Sequence, residues 1–270
     1  MISQFTPIRF YPLSTYQPDG YVQMFAPSDH ILVQRIENAS VDVNSLQLID
    51  YYTKQSILSL PWTIWNINDR EKICFYELSD LSEGKYYLSF EGFRSNCFEV
   101  VSEARILEKT ALIQYAFVDN KKRTDVATLV NKTRFFFDMR IPGGFMDEDW
   151  EFGVLNESFE TEDGDRRELM AVDFTDKMLT IGHSDGIPSW IGEAVSRVIG
   201  CDYLYIDGIR YTTTDTSRIE RVDVSDDRFV YKVQLRECHV SDIEFERKNE
   251  IILRRTPTHL RKAGERFRRI

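Results

Sequence analysis

Cysteine is scarce in this chain of 270 residues: Cys74, Cys97, Cys201 and Cys238 are the only four, and none stands in a Cys-x-x-Cys pair. That excludes a disulfide framework and a zinc ribbon and leaves buried free thiols. Long apolar runs are missing as well. No stretch approaches the roughly 18 consecutive apolar residues of a membrane helix, and the opening residues lack the basic region and apolar run of a secretory signal. The expectation is a protein made in the cytoplasm, with no membrane span. The four histidines, His30, His183, His239 and His259, show no His-Glu-x-x-His or other paired spacing, so no zinc site is expected. Neither a P-loop nor a Gly-x-Gly-x-x-Gly fingerprint occurs, and no cofactor is expected.

What is present is an ordinary globular composition, 42% apolar, 13% aromatic and 29% charged, enough to bury a sizeable core. The net charge of −10 is unevenly placed. Residues 254–270 carry seven Arg or Lys against the single Glu265, a charge of +6, so the preceding 253 residues carry −16. The body repels nucleic acid, and any contact with passing DNA has to come from the basic tail.

Short runs rich in Val, Ile, Tyr, Phe and Thr, separated by Gly, Asp, Asn and Pro, recur along the chain and predict a mostly β protein. Strands are expected at 7–11, 21–25, 30–36, 45–52, 62–67, 72–78, 85–90 and 96–101, the spacing of an immunoglobulin-like sandwich over residues 1–103. Gly84-Lys85-Tyr86 ahead of an alternating strand suits a corner at which the tyrosine hydroxyl bonds back to the chain. A second β-rich domain follows over 104–245, with longer strands at 107–118 and 132–141 and a turn at Pro142-Gly143-Gly144. Asp207-Gly208 between two strands predicts a type I′ hairpin. A second hairpin joins Arg218–Val224 to Arg228–Arg236, with Phe229, Tyr231, Val233 and Leu235 on its buried face. One helix is expected at about 188–199, with Pro188 at its start and Gly200 after its end. Residues 246–270 form the basic tail.

Three patterns invite a chemical reading. Gly182-His183-Ser184-Asp185-Gly186 matches the Gly-x-Ser-x-Gly nucleophile elbow and makes a serine hydrolase using Ser184 an alternative, with His239 and His259 downstream. Against it, Pro188 delays the helix by about four residues, and the preceding chain lacks the alternating β and α units of a hydrolase. Asp147, Asp149 and Glu151 begin with the spacing of a calcium loop, but Phe152 stands where its turn needs glycine. The exposed-aromatic reading makes Trp62 and Trp65 candidates for stacking on sugar in a carbohydrate- or protein-binding module, although an alternating strand more often places such residues in the core.

Residues 145–165 hold nine acidic side chains and no basic one. Asp147, Glu148, Asp149, Glu151, Glu160, Glu162, Asp163 and Asp165 are therefore expected as a solvated acidic face or loop able to dock a basic partner. The complementary candidate is the tail: Arg254, Arg255, Arg261, Lys262, Arg266, Arg268 and Arg269, with Leu260, Ala263, Phe267 and Ile270 on one stripe of a helix. Two complementary surfaces on one chain favour head-to-tail assembly, which gives a ring when the rotation closes.

Phe135-Phe-Phe-Asp-Met-Arg-Ile-Pro-Gly-Gly-Phe, Gly186-Ile-Pro-Ser-Trp, Cys201-Asp-Tyr-Leu-Tyr-Ile-Asp-Gly-Ile-Arg-Tyr and Tyr231-Lys-Val-Gln-Leu-Arg-Glu lie within about 133–237. This stretch resembles virion structural proteins of tailed phages and prophages of Bacteroidetes. The resemblance implies a β-built subunit of a tail-tip or neck ring or adaptor, with copies of itself and neighbouring tail proteins as partners and the virion tail as its location. It carries no catalytic residue.

Overall fold

The computed structural model describes residues 2–16, 20–183, 185–214, 217–225 and 227–238, and the backbone of 251–252; at 146–149 only the backbone is described. The chain is mostly β. Its elements are β1 (Phe10–Pro12), β2 (Gln23–Phe25), β3 (Ile31–Asn38), β4 (Leu46–Asp50), β5 (Ser56–Leu60), β6 (Thr63–Asn66), β7 (Glu71–Leu78), β8 (Gly84–Phe90), β9 (Phe93–Ser95) and β10 (Phe98–Val100). Then come α1 (Ala104–Leu107), β11 (Thr110–Ala116), β12 (Leu129–Val130), β13 (Thr133–Arg134), β14 (Phe137–Glu160), β15 (Arg166–Ile181) and α2 (Ser189–Ile199). The remaining strands are β16 (Tyr203–Ile206), β17 (Ile209–Thr213), β18 (Glu220–Ser225), β19 (Arg228–Glu237) and β20 (Ile251–Ile252).

The first ten strands make two sheets. One is seven-stranded, β1-β9-β8-β10-β2 with β4 and β5 attached through β8; the other is the three-stranded β3-β7-β6. Alternation along β3 and β7 decides how they stack, because odd and even side chains leave a strand on opposite faces. Ile31, Val33 and Leu78 face the seven-stranded sheet and share a core with Leu46, Leu48, Leu88 and Phe98. Leu32 and Ile73 point the other way, into the core of the second half. The corner tyrosine does what its position predicts: the Tyr86 hydroxyl donates to the Ser82 carbonyl at 3.1 Å.

In the second half the strands run β15-β14-β11-β16-β17-β19, and β19 pairs again with β15. That last pairing, Asp176↔Arg236 to Ile181↔Tyr231, closes six strands into a barrel, with β18 appended to β19. Ile113, Phe137, Met139, Leu179, Leu204, Tyr211, Val233 and Leu235 share its buried cluster with Trp190, Ile191, Val195 and Val198 of α2. The helix comes close because Gly192 faces the Tyr231 ring; a Cβ there would stand 2.3 Å from the ring's Cζ.

The two halves are also tied by buried polar groups. Arg140 on β14 makes a two-armed pair with Asp29, at 2.6 and 2.8 Å. Asp138 accepts from the His30 amide at 3.1 Å and from Gln114 Nε2 at 3.0 Å. Gln34 exchanges two hydrogen bonds with the backbone of Ala127. Residues before and after position 103 therefore contribute to one buried cluster, with Phe5 packed edge-on against Phe117 and tilted against Tyr115.

Two local expectations need correction. Pro142-Gly143-Gly144 is no turn but lies inside β14: Gly143 pairs with Ile181, and its φ of +138° with the Thr180 carbonyl 2.2 Å from a would-be Cβ makes it a site of close strand approach. Residues 145–165 are no loop either. They belong to β14 and the turn that follows it, and Arg166–Asp176 return as the outer part of β15.

Candidate assembly interface

Beyond the barrel, β14 and β15 continue as a two-stranded ribbon. Its ladder runs from Trp150↔Lys177 to Glu160↔Arg166, with one bulge, at Leu169. The turn is closed locally: Thr161 accepts from the Gly164 amide at 2.8 Å, its own amide donates to the Asp165 carbonyl at 2.8 Å, and Gly164 takes the positive φ, +80°. Among the described residues, β15 meets β19 only over 176–181, so the outer ribbon has two unpaired edges.

The root of this arm is fastened to the barrel by chemistry specific to a few residues. Arg236 grips Asp176 with two hydrogen bonds, 2.7 and 2.9 Å, and stacks over the Phe174 ring at 4.0 Å. Gln234 donates to Glu151 at 3.0 Å. Lys177 lies 4.1 Å from the Trp150 ring and pairs with Glu237 at 2.7 Å. Just below, Phe145 stacks on Tyr211 at 4.7 Å.

Past the root the side chains are open. Phe152 is 70% exposed, Val154 59% and Leu169 64%, and Leu155, Phe159, Met170 and Val172 are exposed as well. Cross-strand pairs share a face, so Trp150, Phe152 and Val154 stand on one side, while Leu155/Val172 and Met170 stand on the other. Summed over these residues and Trp150, the open apolar surface is on the order of 700 Å², divided between the two faces of the ribbon, each a patch of the size that often marks a contact site. It is close to one partner's share, about 800 Å², of a standard protein interface. A two-stranded ribbon alone is marginal in water. An apolar arm with open edges is therefore built to be covered.

The acidic candidates separate on this arm. Glu151 sits at the root, engaged by Gln234. Glu160, Glu162, Asp163 and Asp165 gather at the tip, roughly 30 Å away by strand rise, where Arg167 lies 3.8 Å from Asp165. Asp147, Glu148 and Asp149 fall where β14 takes four residues between ladder pairs against one on β15; their side chains are outside the described set. Sequence reasoning registered the acids and missed the apolar residues between them. The signal was the alternation Trp150-x-Phe152-x-Val154.

The basic candidates Arg254, Arg255, Leu260, Arg261, Lys262, Arg266, Phe267, Arg268 and Arg269 lie outside the described residues, as does Ser184. Around Ser184, the two glycines of the elbow-like motif answer to packing: a Cβ on Gly182 would stand 2.8 Å from the Phe229 carbonyl, and one on Gly186 3.0 Å from the Phe229 amide. His183 Nε2 is 2.7 Å from the Lys109 carbonyl. Trp62 and Trp65 are both partly buried: Trp62 Nε1 donates to the Asn44 carbonyl at 2.7 Å, and Trp65 packs on Phe75 and Phe135. Among the described residues no group of three or more His, Cys, Asp or Glu could hold a metal ion, and no helix is long and apolar enough to cross a membrane. Burial pushes the Cys201 thiol up to about 12, so it remains protonated.

No protein-family model matches the chain, and no curated protein resembles it closely enough to count as a relative.

Proposed function

We propose that this protein is a structural subunit of a tailed-phage virion, a ring or adaptor component of the tail, which acts by assembling head to tail with copies of itself. The observation that carries the reading is the apolar arm at 150–176: a barrel with a fastened, exposed β-ribbon suits a protein whose work is to be gripped by a neighbour. The stretch resembling phage virion proteins spans β14 to β19 with α2, the same part that forms most of the barrel and the arm. A heterologous contact between an arm on one subunit and a different surface on the next generates a ring when its rotation closes.

The test is the oligomeric state of the full chain. Negative-stain images and light scattering should give rings of uniform diameter, and Phe152→Asp with Val154→Asp should leave folded monomers. A wild-type chain that stays monomeric at 100-fold higher concentration than its neighbours would encounter in a mixed tail preparation, while binding immobilised glycans, would replace assembly by the carbohydrate-binding reading.

A further inference from the structure

We propose that the arm of one subunit is covered by the C-terminal segment, residues 253–270, of the next copy. This rests on the assembly reading above and names the occupant of its surface.

Charge is the first argument. Residues 150–176 hold nine acidic and two basic side chains, a net −7, arranged around an apolar centre. Residues 254–270 hold the opposite arrangement, +6 with Leu260, Phe267 and Ile270 among the arginines. The most basic stretch of that length in the preceding 253 residues, 121–137, reaches only +4.

Place is the second argument. Ile251 and Ile252 pair in parallel with Thr133 and Arg134 on β13, just before β14 begins. From there β14 climbs roughly 30 Å to the arm's root and another 30 Å or so to its acidic tip. Eighteen residues reach at most about 60 Å when fully extended. On its own subunit the segment would spend half its length getting to the root and would reach the acidic tip only if every residue were fully extended. A head-to-tail stack that brings a neighbour's arm to that end of the barrel requires no such reach. The geometry therefore favours exchange between copies over folding back.

The parts of the contact do different jobs. Apolar burial of Phe152, Val154 and Leu169 against Leu260, Phe267 and Ile270 supplies the grip. The arginines opposite Glu160, Glu162, Asp163 and Asp165 steer and register the approach, since solvated ion pairs add little affinity.

Two full-length variants test this by complementation. One carries Phe152→Asp and Val154→Asp on the arm; the other carries Leu260→Asp and Phe267→Asp in the tail. Each alone should be folded, with an unchanged denaturation midpoint, and monomeric. Mixed, they should form a one-to-one dimer that grows no further, because one intact tail meets one intact arm. The dimer's dissociation constant should weaken at least tenfold between 50 and 500 mM salt. A mixture that remains monomeric, or a tail variant that still assembles like wild type, overturns the tail as occupant. The second outcome leaves the ring reading standing, with the arm covered by another surface. A monomeric wild type instead removes the ring reading itself.

Discussion

Phe174 lies so close over Gly153 that a Cβ on the glycine would stand 2.4 Å from the ring's Cζ. The two residues are cross-strand partners at the root of the arm, and Arg236 lies over the same ring at 4.0 Å. A side chain at 153 must displace the ring and so disturb its contact with Arg236, which fastens the ribbon to the barrel.

Gly153→Val should therefore loosen the arm without unfolding the barrel. Limited proteolysis should cut within 151–175 several-fold faster, while the free energy of unfolding changes by less than about 1 kcal/mol. Equal cleavage rates in both proteins would show that Phe174 is not fastening the ribbon.

Asp207 and Gly208 turn the β16–β17 hairpin with φ of +49° and +82°, the conformation a two-residue type I′ turn requires. Asp207 also receives the Leu112 amide on its carboxylate at 2.9 Å, linking the turn to β11. Gly208→Val forces a β-branched residue into positive φ and should destabilise the barrel by about 1 to 3 kcal/mol. Denaturant titration of the two proteins measures it, and coincident curves would count against the turn assignment.

These cases separate what the sequence discloses from what it withholds. Asp207-Gly208, the Tyr86 corner and α2 were legible because each is specified within a dozen residues: turn chemistry, a Gly-x-Tyr, an apolar stripe between Pro188 and Gly200. Gly143 was misread as a turn because its conformation answers to Thr180, on a strand that meets it only in the fold. Closure of the barrel was invisible for the same reason, since β15 and β19 pair across 50 to 60 residues. The arm escaped notice because apolar and acidic residues stand on both its faces. Without a dry side and a wet side, even the alternation of Trp150, Phe152 and Val154 does not by itself announce an exposed ribbon.

Asp138 should give the protein a pH-dependent joint between its halves. Burial pushes its carboxyl up to about 7, against the hydrogen bonds from Gln114 and the His30 amide that favour the ionised form. The folded state then keeps a proton that the unfolded chain releases near pH 4. From about pH 4 to pH 7 this group's contribution makes stability fall as pH rises, and above 7 it is flat. Relative to wild type, Asp138→Asn should lose that downward slope. Parallel curves of unfolding free energy against pH for the two proteins would remove Asp138 as its source.

Asp29 and Arg140 form the other buried tie, and their energetics should be asymmetric. Both are nearly inaccessible, 3% and 7% exposed, and the pair is two-armed, with Arg140 also donating to Thr110 and Asp29 accepting the Ala26 amide. Desolvating two charges costs about as much as their attraction returns, so the pair adds little net stability over a well-packed apolar substitute. Removing one partner is different, because it strands the other charge in the interior. Arg140→Met should destabilise by about 3 to 5 kcal/mol, leaving Asp29 with the Ala26 amide alone. Asp29→Leu should cost a similar amount by leaving Arg140 without its carboxylate. The double variant should lie closer to wild type than either single one, a coupling of several kcal/mol of the sign expected for residues in direct contact. Because Asp29 precedes β3 and Arg140 lies on β14, amide exchange in the single variants should rise first at β3 and β11, where the halves meet. Single effects that simply add in the double variant would mean that the two charges are solvated independently and that the joint is held by Gln34, Asp138 and the apolar cluster instead.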